Sequence, residues 1–470
     1  MMAPVKSRRQ FIGGAATLGT LVVAAETSAQ VSGQANRPNI VYLHSHDSGR
    51  YLQPYGHNVP TPRIAELAAE GVLFRQAFSA APTCSPSRAS LLTGQCAHQN
   101  GMLGLAHRGF SLADYSHHIV HTLRRAGYRS VLAGLQHVAQ TPERIGFDEI
   151  VSPKGTGAAV VAPAAAKFLD SRPAQPFFLD VGFFETHREY PEPTADDDPR
   201  YLQPPAPMPD TPQTRRDMAG FRASARQLDK GVGQVLDALQ RNGLADNTIV
   251  ISTTDHGLAF PRMKCNLTDA GWGVSLIIRG PGDFRGGKVC DAMVSHLDIF
   301  PTLCEILQIE KPSWLEGRSI LPVLRGERKE INDEVFAEVN YHASYEPARA
   351  VRTLRYKYIK RFGGRTLPVL PNCDDGPSKD LWLEYGWKQR EVAQEELYDL
   401  LFDPAEQNNL AADPKFSTAL ADMRSRLQRW MSRTNDPLLK GPVPAPAGAK
   451  VNPVDGISPR EPAVDAATGK

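Results

Sequence analysis

The chain has 470 residues, 41% hydrophobic and 22% charged, which excludes global disorder and a collagen-like repeat. That length fits two to four domains, or one large α/β domain with an appendage. Its 53 lysines and arginines against 51 aspartates and glutamates leave a net charge of +2, so bulk electrostatics make no case for a nucleic-acid partner. No uninterrupted apolar run of about 20 residues follows the N-terminus, which excludes a multi-pass membrane protein.

Residues 7–12 read S-R-R-Q-F-I, followed by a Gly/Ala-rich apolar run from Gly13 to Ala25 and small residues at Thr27-Ser28-Ala29. Paired arginines before a moderately apolar segment predict a twin-arginine signal over residues 1–29. The expected route is export by the twin-arginine machinery, already folded, to the periplasm; the alternative is the basic start of an amphipathic helix. The run is too short for a membrane anchor. Six cysteines (Cys84, Cys96, Cys265, Cys290, Cys304 and Cys373) are sparse and form no C-x-x-C pair, so no disulfide scaffold is implied. An oxidising compartment would permit a bridge or two.

Further along, Asn39–Ser45 is a short apolar run ending in His46-Asp47-Ser48-Gly49, the pattern of a buried strand leaving into a loop. A helix is predicted over Thr61–Glu70. Another opens at Ser85-Pro86-Ser87, with Ser85 as its cap and Pro86 in its first turn. Alternation continues with a helix near Ile119–Ala126, strands at Ser130–Ala133 and Phe177–Phe183, a long helix around Thr214–Asn242 and a strand at Thr248–Thr254. Such alternation predicts an α/β domain over residues 37–326, with a large, mostly parallel sheet sandwiched by helices. After Gly326, short strands at Glu334–Val339, Ala350–Thr353 and Tyr356–Lys360 and a helix at Phe416–Arg433 predict a smaller C-terminal α+β subdomain over 327–438. Residues 439–470, rich in Pro, Ala and Gly, are expected to be a disordered tail.

In a parallel sheet, ligands bind beyond the carboxyl ends of the strands. His46 and Asp47 follow the first strand, and Asp255 and His256 follow Thr248–Thr254. Both pairs are expected at one edge of the sheet, where two carboxylates and two imidazoles favour a cation among them. Asp255-His256-Gly257 is also a reasonable turn. The third element is Cys84-Ser85-Pro86-Ser87-Arg88, continued by Ala89-Ser90-Leu91-Leu92-Thr93-Gly94. It sets a small reactive side chain just before a helix N-terminus, whose free N–H groups favour an anion, with Arg88 in the same first turn. The plain alternative is a buried structural cysteine.

This segment resembles the sulfatase signature, in which the cysteine of C-x-P-S-R is oxidised to formylglycine. His98-Gln99-Asn100-Gly101-Met102, Glu396-Leu397-Tyr398-Asp399, Asp403-Pro404, Asn408-Asn409-Leu410, Trp430 and Asp436-Pro437 extend the likeness. They point to the branch of heparan N-sulfatases (N-sulfoglucosamine sulfohydrolases) and their bacterial relatives, over residues 37–438. The resemblance implies an alkaline phosphatase-like fold and release of sulfate from a sulfated carbohydrate. It implies that a formylglycine-generating maturation enzyme converts Cys84 and that the aldehyde is hydrated to a geminal diol. One diol hydroxyl would take the sulfo group and the other would expel sulfate, a turnover that a simple serine or cysteine ester lacks. By the same likeness Asp47, Asp255, His256 and His46 would hold a divalent metal together with the Cys84 nucleophile, and Arg88 would steady the oxyanion. Lys264 would contact sulfate oxygens, and His137 and His187 would assist the leaving group or the diol proton. Phe183, Phe184 and Tyr190 read as core or rim packing.

The pattern departs from the family in two places. Most sulfatases carry Asp-Asp after the first strand, whereas here the first position is His46. They also carry a lysine two residues before the histidine matching His137, where this chain has Leu135. A mixed nitrogen and oxygen ligand set suits manganese, zinc or iron better than the calcium of relatives. It also resembles the site of phosphonate monoester and phosphodiester hydrolases of the same superfamily. A glycan-binding relative that has lost catalysis is the reading outside enzymes.

Overall fold

Every side chain of Asn39-Ile-Val-Tyr-Leu-His-Ser45 is buried, as a strand covered on both faces requires, and the segment forms β1. The computed structural model describes residues 37–151 and 154–468. The expected signal, residues 1–29, lies outside the described residues, and from Pro38 onward the chain forms one compact unit. After β1 come α1 (Pro62–Glu70), β2 (Val72–Phe78), α2 (Cys84–Thr93), α3 (Ile119–Arg125), β3 (Arg129–Gly134) and β4 (Glu149–Val151). Then follow α4 (Ala158–Asp170), β5 (Phe177–Gly182), α5 (Pro212–Arg241), β6 (Thr248–Thr254), β7 (Gly273–Val274), β8 (Leu276–Arg279), β9 (Lys288–Ser295) and α6 (Ile299–Ile306).

These strands build a nine-stranded sheet in the order β4-β3-β5-β1-β6-β8-β2-β7, with β9 paired to β2. The strands from β4 to β6 run parallel, as does β2 with β9, while β7 and β8 run antiparallel to their neighbours. The α/β expectation therefore holds. Side-chain alternation distributes β1 between two cores. Val41 and Leu43 pack with α1, α4 and α5 on one face. Ile40 and Tyr42 pack with α2, α3 and α6 on the other. At β5 the close packing admits only glycine at Gly182, because a Cβ there would meet the Leu135 carbonyl oxygen at 1.8 Å and the His44 ring at 2.5 Å.

Downstream, β10 (Val335–Tyr341), β11 (Tyr345–Arg352), β12 (Tyr356–Arg361), α7 (Pro377–Glu384), β13 (Glu395–Asp399) and α8 (Ser417–Arg433) follow. The four strands form an antiparallel sheet in chain order, covered by α8. The motif residues near the C-terminus shape this layer. Glu396–Asp399 lies in β13, and Trp430 stacks on Phe336 with ring centroids 5.0 Å apart. Asp436 accepts from Arg349 Nε and Nη2 at 2.6 and 2.9 Å, and Glu338 lies 3.4 Å from the same fully buried guanidinium. Arg349→Ala strands two buried carboxylates and is expected to cost about 3–5 kcal/mol of stability, read by denaturant unfolding.

Two expectations need correction. Residues 439–468 are folded rather than a disordered tail: β14 (Lys450–Val451) pairs with β15 (Val464–Asp465), and Val443, Ala449 and Asn452 are buried. Composition misleads here because side chains of the main body satisfy the segment's backbone and amide groups. Tyr341 Oη donates to Val443 O at 2.6 Å, Lys379 Nζ to Ile457 O at 2.7 Å, and Arg108 to the Asn452 side chain at 2.7 Å. The second correction concerns α2, which begins at Cys84 with Thr83 in the cap position. Ser85 lies inside the first turn, and its hydroxyl accepts from Ala106 N at 3.0 Å. All six cysteines are buried and unbridged.

Candidate active site

Residue Ser45 of β1 lies level with Thr254 of β6 in a parallel pair. His46-Asp47 and Asp255-His256 therefore leave the sheet side by side. The turn is tied across the strands: Asp255 Oδ1 accepts from Asp47 N at 2.9 Å and from His256 N at 3.0 Å. From the face of the sheet that carries Ile40 and Tyr42, α2 delivers Cys84, whose Sγ lies 3.3 Å from His256 Nε2. His46 Nδ1 lies 3.2 Å from Asp255 Oδ2, and His256 Nε2 lies 3.4 Å from Asp47 Oδ1. All five predicted metal-site residues thus converge, and His46, Asp47, Cys84 and Asp255 form one group able to hold a metal ion.

The donor atoms fit a cation. Asp47 Oδ1 and both ring nitrogens of His46 are buried without hydrogen-bond partners, a costly arrangement unless an ion claims them. His256 Nδ1 lies 3.0 Å from the Gly257 carbonyl, which can only accept. In the neutral ring Nδ1 then carries the proton, and the Nε2 lone pair points into the site. Burial, reinforced by Arg88, pushes the His46 pKa well below its usual value and keeps the imidazole neutral. Burial works against the Asp255 carboxylate, yet its pKa is held well below the ordinary range, with the paired Arg88 guanidinium the fixed positive charge among its neighbours.

The Cys84 thiol is almost fully buried, and that burial pushes its pKa well above the usual value, only partly offset by Lys264. An unmodified Cys84 is therefore a protonated thiol and a poor nucleophile.

Arg88 does not reach back freely towards position 84. Its Nη2 donates to Asp255 Oδ2 at 2.9 Å and to Ser45 O at 2.8 Å, and its Nη1 meets His44 Nδ1. His44 is held in turn by Asp180 at 2.8 Å. Lys264 is equally engaged, with Asp47 Oδ2 at 3.0 Å, Asp374 Oδ2 at 2.8 Å and His187 Nε2 at 3.2 Å. Burial opposes its charge, yet Asp374 and Asp47 raise its pKa well above normal, so it stays an ammonium. His187 Nδ1 bonds the Arg188 carbonyl at 2.6 Å, and its ring lies 5.6 Å from that of His46. His137, at φ 55°, presents an unpartnered buried Nδ1, while its Nε2 lies 2.9 Å from His107 Nδ1. Its ring lies 5.7 Å from His46, and burial followed by His107 keeps its pKa well below the usual value. Leu135 supplies no charge to this edge, so Arg88 and Lys264 face the carboxylates of Asp47, Asp255 and Asp374. Phe183 is buried in the core, and Phe184 lies at the rim, 38% exposed, over His187 and His46. Tyr190 packs on Arg188 and Phe221.

Sequence reasoning missed His44, His107, Asp180 and Asp374. His44 and Asp180 sit inside apolar strands, where alternation already places them facing inward. Asp374 comes from a loop and His107 from a single 3-10 turn, and neither carries a periodic signal.

A sequence profile of the Sulfatase family matches residues 38–309, and a second, described as N-sulphoglucosamine sulphohydrolase, C-terminal, matches residues 263–367. The N-sulphoglucosamine sulphohydrolase of Homo sapiens is 31% identical over 475 residues, covering 87% of this chain and 93% of its own length. An ulvan-active sulfatase of Formosa agariphila is 29% identical, with 93% and 88% covered. Among solved structures, a protein in complex with its substrate D-glucosamine-2-N,6-O-disulfate superposes with a TM-score of 0.68 at 18% identity, covering 85% and 98%. A phosphonate monoester hydrolase of Silicibacter pomeroyi reaches 0.67 at 20%, covering 85% and 96%. At these identities the two structures speak to the fold alone.

Proposed function

The chain belongs to the sulfatase family, and from that premise we propose that it releases sulfate from a sulfated, N-sulfoglucosamine-like sugar by hydrolysing a sulfamate or sulfuric ester. One observation carries this reading. A cysteine at a helix N-terminus meets two acid–imidazole pairs in register at the mouth of the sheet, under a buried lysine. The likeness to the human sulphohydrolase, which runs through the C-terminal profile as well, favours the N-sulfated sugar.

In the mechanism we propose, Cys84 carries formylglycine, installed by a maturation enzyme, whose hydrate supplies the nucleophilic hydroxyl and the means to expel sulfate. A divalent cation held by His46, Asp47, Asp255 and His256 beside residue 84 would supply Lewis acidity. The chain's own groups do the positioning. Arg88 locks the Asp255 carboxylate and the end of β1 with two short hydrogen bonds. Asp47 divides its oxygens, turning Oδ2 to Lys264 and leaving Oδ1 without a hydrogen-bond partner, where it would be available to hold a cation. Lys264, fixed by Asp374, places a permanent positive charge where sulfate negative charge must be met. His137 Nδ1, which faces the site without a partner in a neutral ring backed at its other nitrogen by His107, is assigned to accept the proton of the attacking hydroxyl. The mature enzyme is proposed to be periplasmic, exported folded by the twin-arginine route.

Because His46 stands where relatives carry a carboxylate, manganese, zinc or iron is expected in the purified holoenzyme, with activity lost on chelation and regained with those ions. Elemental analysis showing one calcium and no transition metal per chain would remove that preference. The function itself is tested by a turnover screen of N-sulfoglucosamine, an O-sulfated sugar, an aryl sulfate and a phosphodiester, with sulfate and phosphate measured directly. Sulfate from the N-sulfated sugar is the expected result. Phosphodiester cleavage in its place would favour the phosphonate-hydrolase reading. An unconverted Cys84 thiol from the native host, seen by mass spectrometry of its peptide, would favour a glycan binder.

A further inference from the structure

Next to the site, Asp374 holds Lys264, and three residues later α7 begins. The helix is anchored to the site's rim: Ser378 N donates to Asp217 Oδ2 at 3.2 Å, and the same oxygen accepts from Arg188, the neighbour of His187, at 2.7 Å. From Pro377 the helix α7 spans about 12 Å to Tyr385, just past its C-terminal end. At its far end lies a groove of about 380 Å³, walled by Pro209 and Thr211 before α5 and by Trp382, Tyr385, Trp387 and Arg390.

The groove has the chemistry of a sugar platform. Trp382 and Trp387 meet edge to face with centroids 5.3 Å apart, and Tyr385 is 80% exposed. Trp382 packs against an apolar cluster in which Leu258, Phe260 and Met263, from the loop between His256 and Lys264, join Met208, Met218 and Phe221, so the platform and the catalytic loop share one cluster. The Arg390 guanidinium has no ion-pair or hydrogen-bond partner among the described residues, and it is the charged group lining the groove. Flat aromatic faces suit the apolar face of a pyranose ring, and a free guanidinium suits a sulfo group or carboxylate.

We propose that this groove binds a distal saccharide unit of the same sulfated glycan whose terminal sulfo group enters the active site. The enzyme would thus prefer an oligosaccharide to a monosaccharide. This assignment rests on the sulfated-sugar reading above, and charge complementarity, aromatic faces and continuity with the loop of Lys264 select the occupant.

The test compares an N-sulfated glucosaminoglycan hexasaccharide with N-sulfoglucosamine in the full-length holoenzyme. Trp387→Ala and Arg390→Ala should each raise KM for the hexasaccharide roughly tenfold at unchanged kcat, and leave both constants for the monosaccharide unchanged. Hexasaccharide titrated into Cys84→Ala protein should shift the tryptophan fluorescence, and that response should be lost in Cys84→Ala/Trp387→Ala. If the wild type splits the monosaccharide but the groove variants handle the hexasaccharide as the wild type does, the groove assignment falls alone. If neither saccharide is split while the fluorescence response persists and depends on Trp387, the activity reading falls and the groove stands. Fluorescence that follows protein concentration rather than glycan would show a second copy as the occupant and overturn the proposal.

Discussion

Cys84→Ala is expected to lower sulfate release by at least about 10⁴-fold, because the residue that would form the covalent intermediate is gone. The fold should survive. The side chain is nearly fully buried but small, its thiol has one hydrogen-bond partner, His256, and α2 is capped at Thr83 with backbone bonds that do not involve the sulfur. Unfolding is therefore expected within about 1–2 kcal/mol of the wild type, the scale of a minor core truncation. Sulfate measured by ion chromatography, together with denaturant unfolding, reads both halves. Substantial residual turnover in a folded Cys84→Ala protein would assign the nucleophile elsewhere and undo the mechanism. Cys84→Ser should be equally inactive over many turnovers, since an ordinary hydroxyl lacks the second oxygen that releases sulfate.

Asp255→Asn is expected to damage activity and stability together, which separates it from the first variant. The carboxylate is fully buried and serves Arg88, His46 and two backbone N–H groups at once. An amide in its place sets a neutral group against a buried guanidinium and would leave the proposed cation one anionic ligand short. Removing one partner of such a buried pair costs about 3–5 kcal/mol. The metal-free variant should show that loss at neutral pH, and metal content should fall well below one ion per chain. The pH dependence has a defined sign. Since the native carboxyl titrates well below its unfolded value, its contribution is fully present above about pH 4 and is lost as acidification approaches the lower native value. Asp255→Asn should therefore lie below the wild type at pH 7, and the two should converge in strong acid. Equal stability at pH 7 would show that Asp255 and Arg88 do not sustain each other.

Much of this architecture was legible before any coordinates, and the reasons are specific. β1 and β6 are built on apolar runs and end at His46-Asp47 and Asp255-His256, so their limits coincide with the sequence reading, and each C-terminal boundary is itself a site pair. β2 escaped notice because Arg75 and Gln76 interrupt its apolar pattern, and α4 because Pro163 sits inside it. The inner ring of the site follows from what comes directly after parallel strands. The ring behind it does not. Asp374 lies more than a hundred residues beyond Lys264 in sequence and meets it through packing of the C-terminal layer. The tail was misread for a related reason, since its binding partners lie in Arg108, Tyr341 and Lys379 rather than in its own composition.

That folded tail has a temporal consequence. Arg108, which its segment around Asn452 and Pro459 grips, is the immediate neighbour of His107, the residue that steadies His137. Residues 450–465 follow every side chain of this site in the sequence, so two of the bonds behind the histidine pair, from Arg108 to Asn452 and Pro459, become available after Arg108's third, to Ala343 O. The backing of the pocket is thus completed by chain made after the last of the pocket's own side chains.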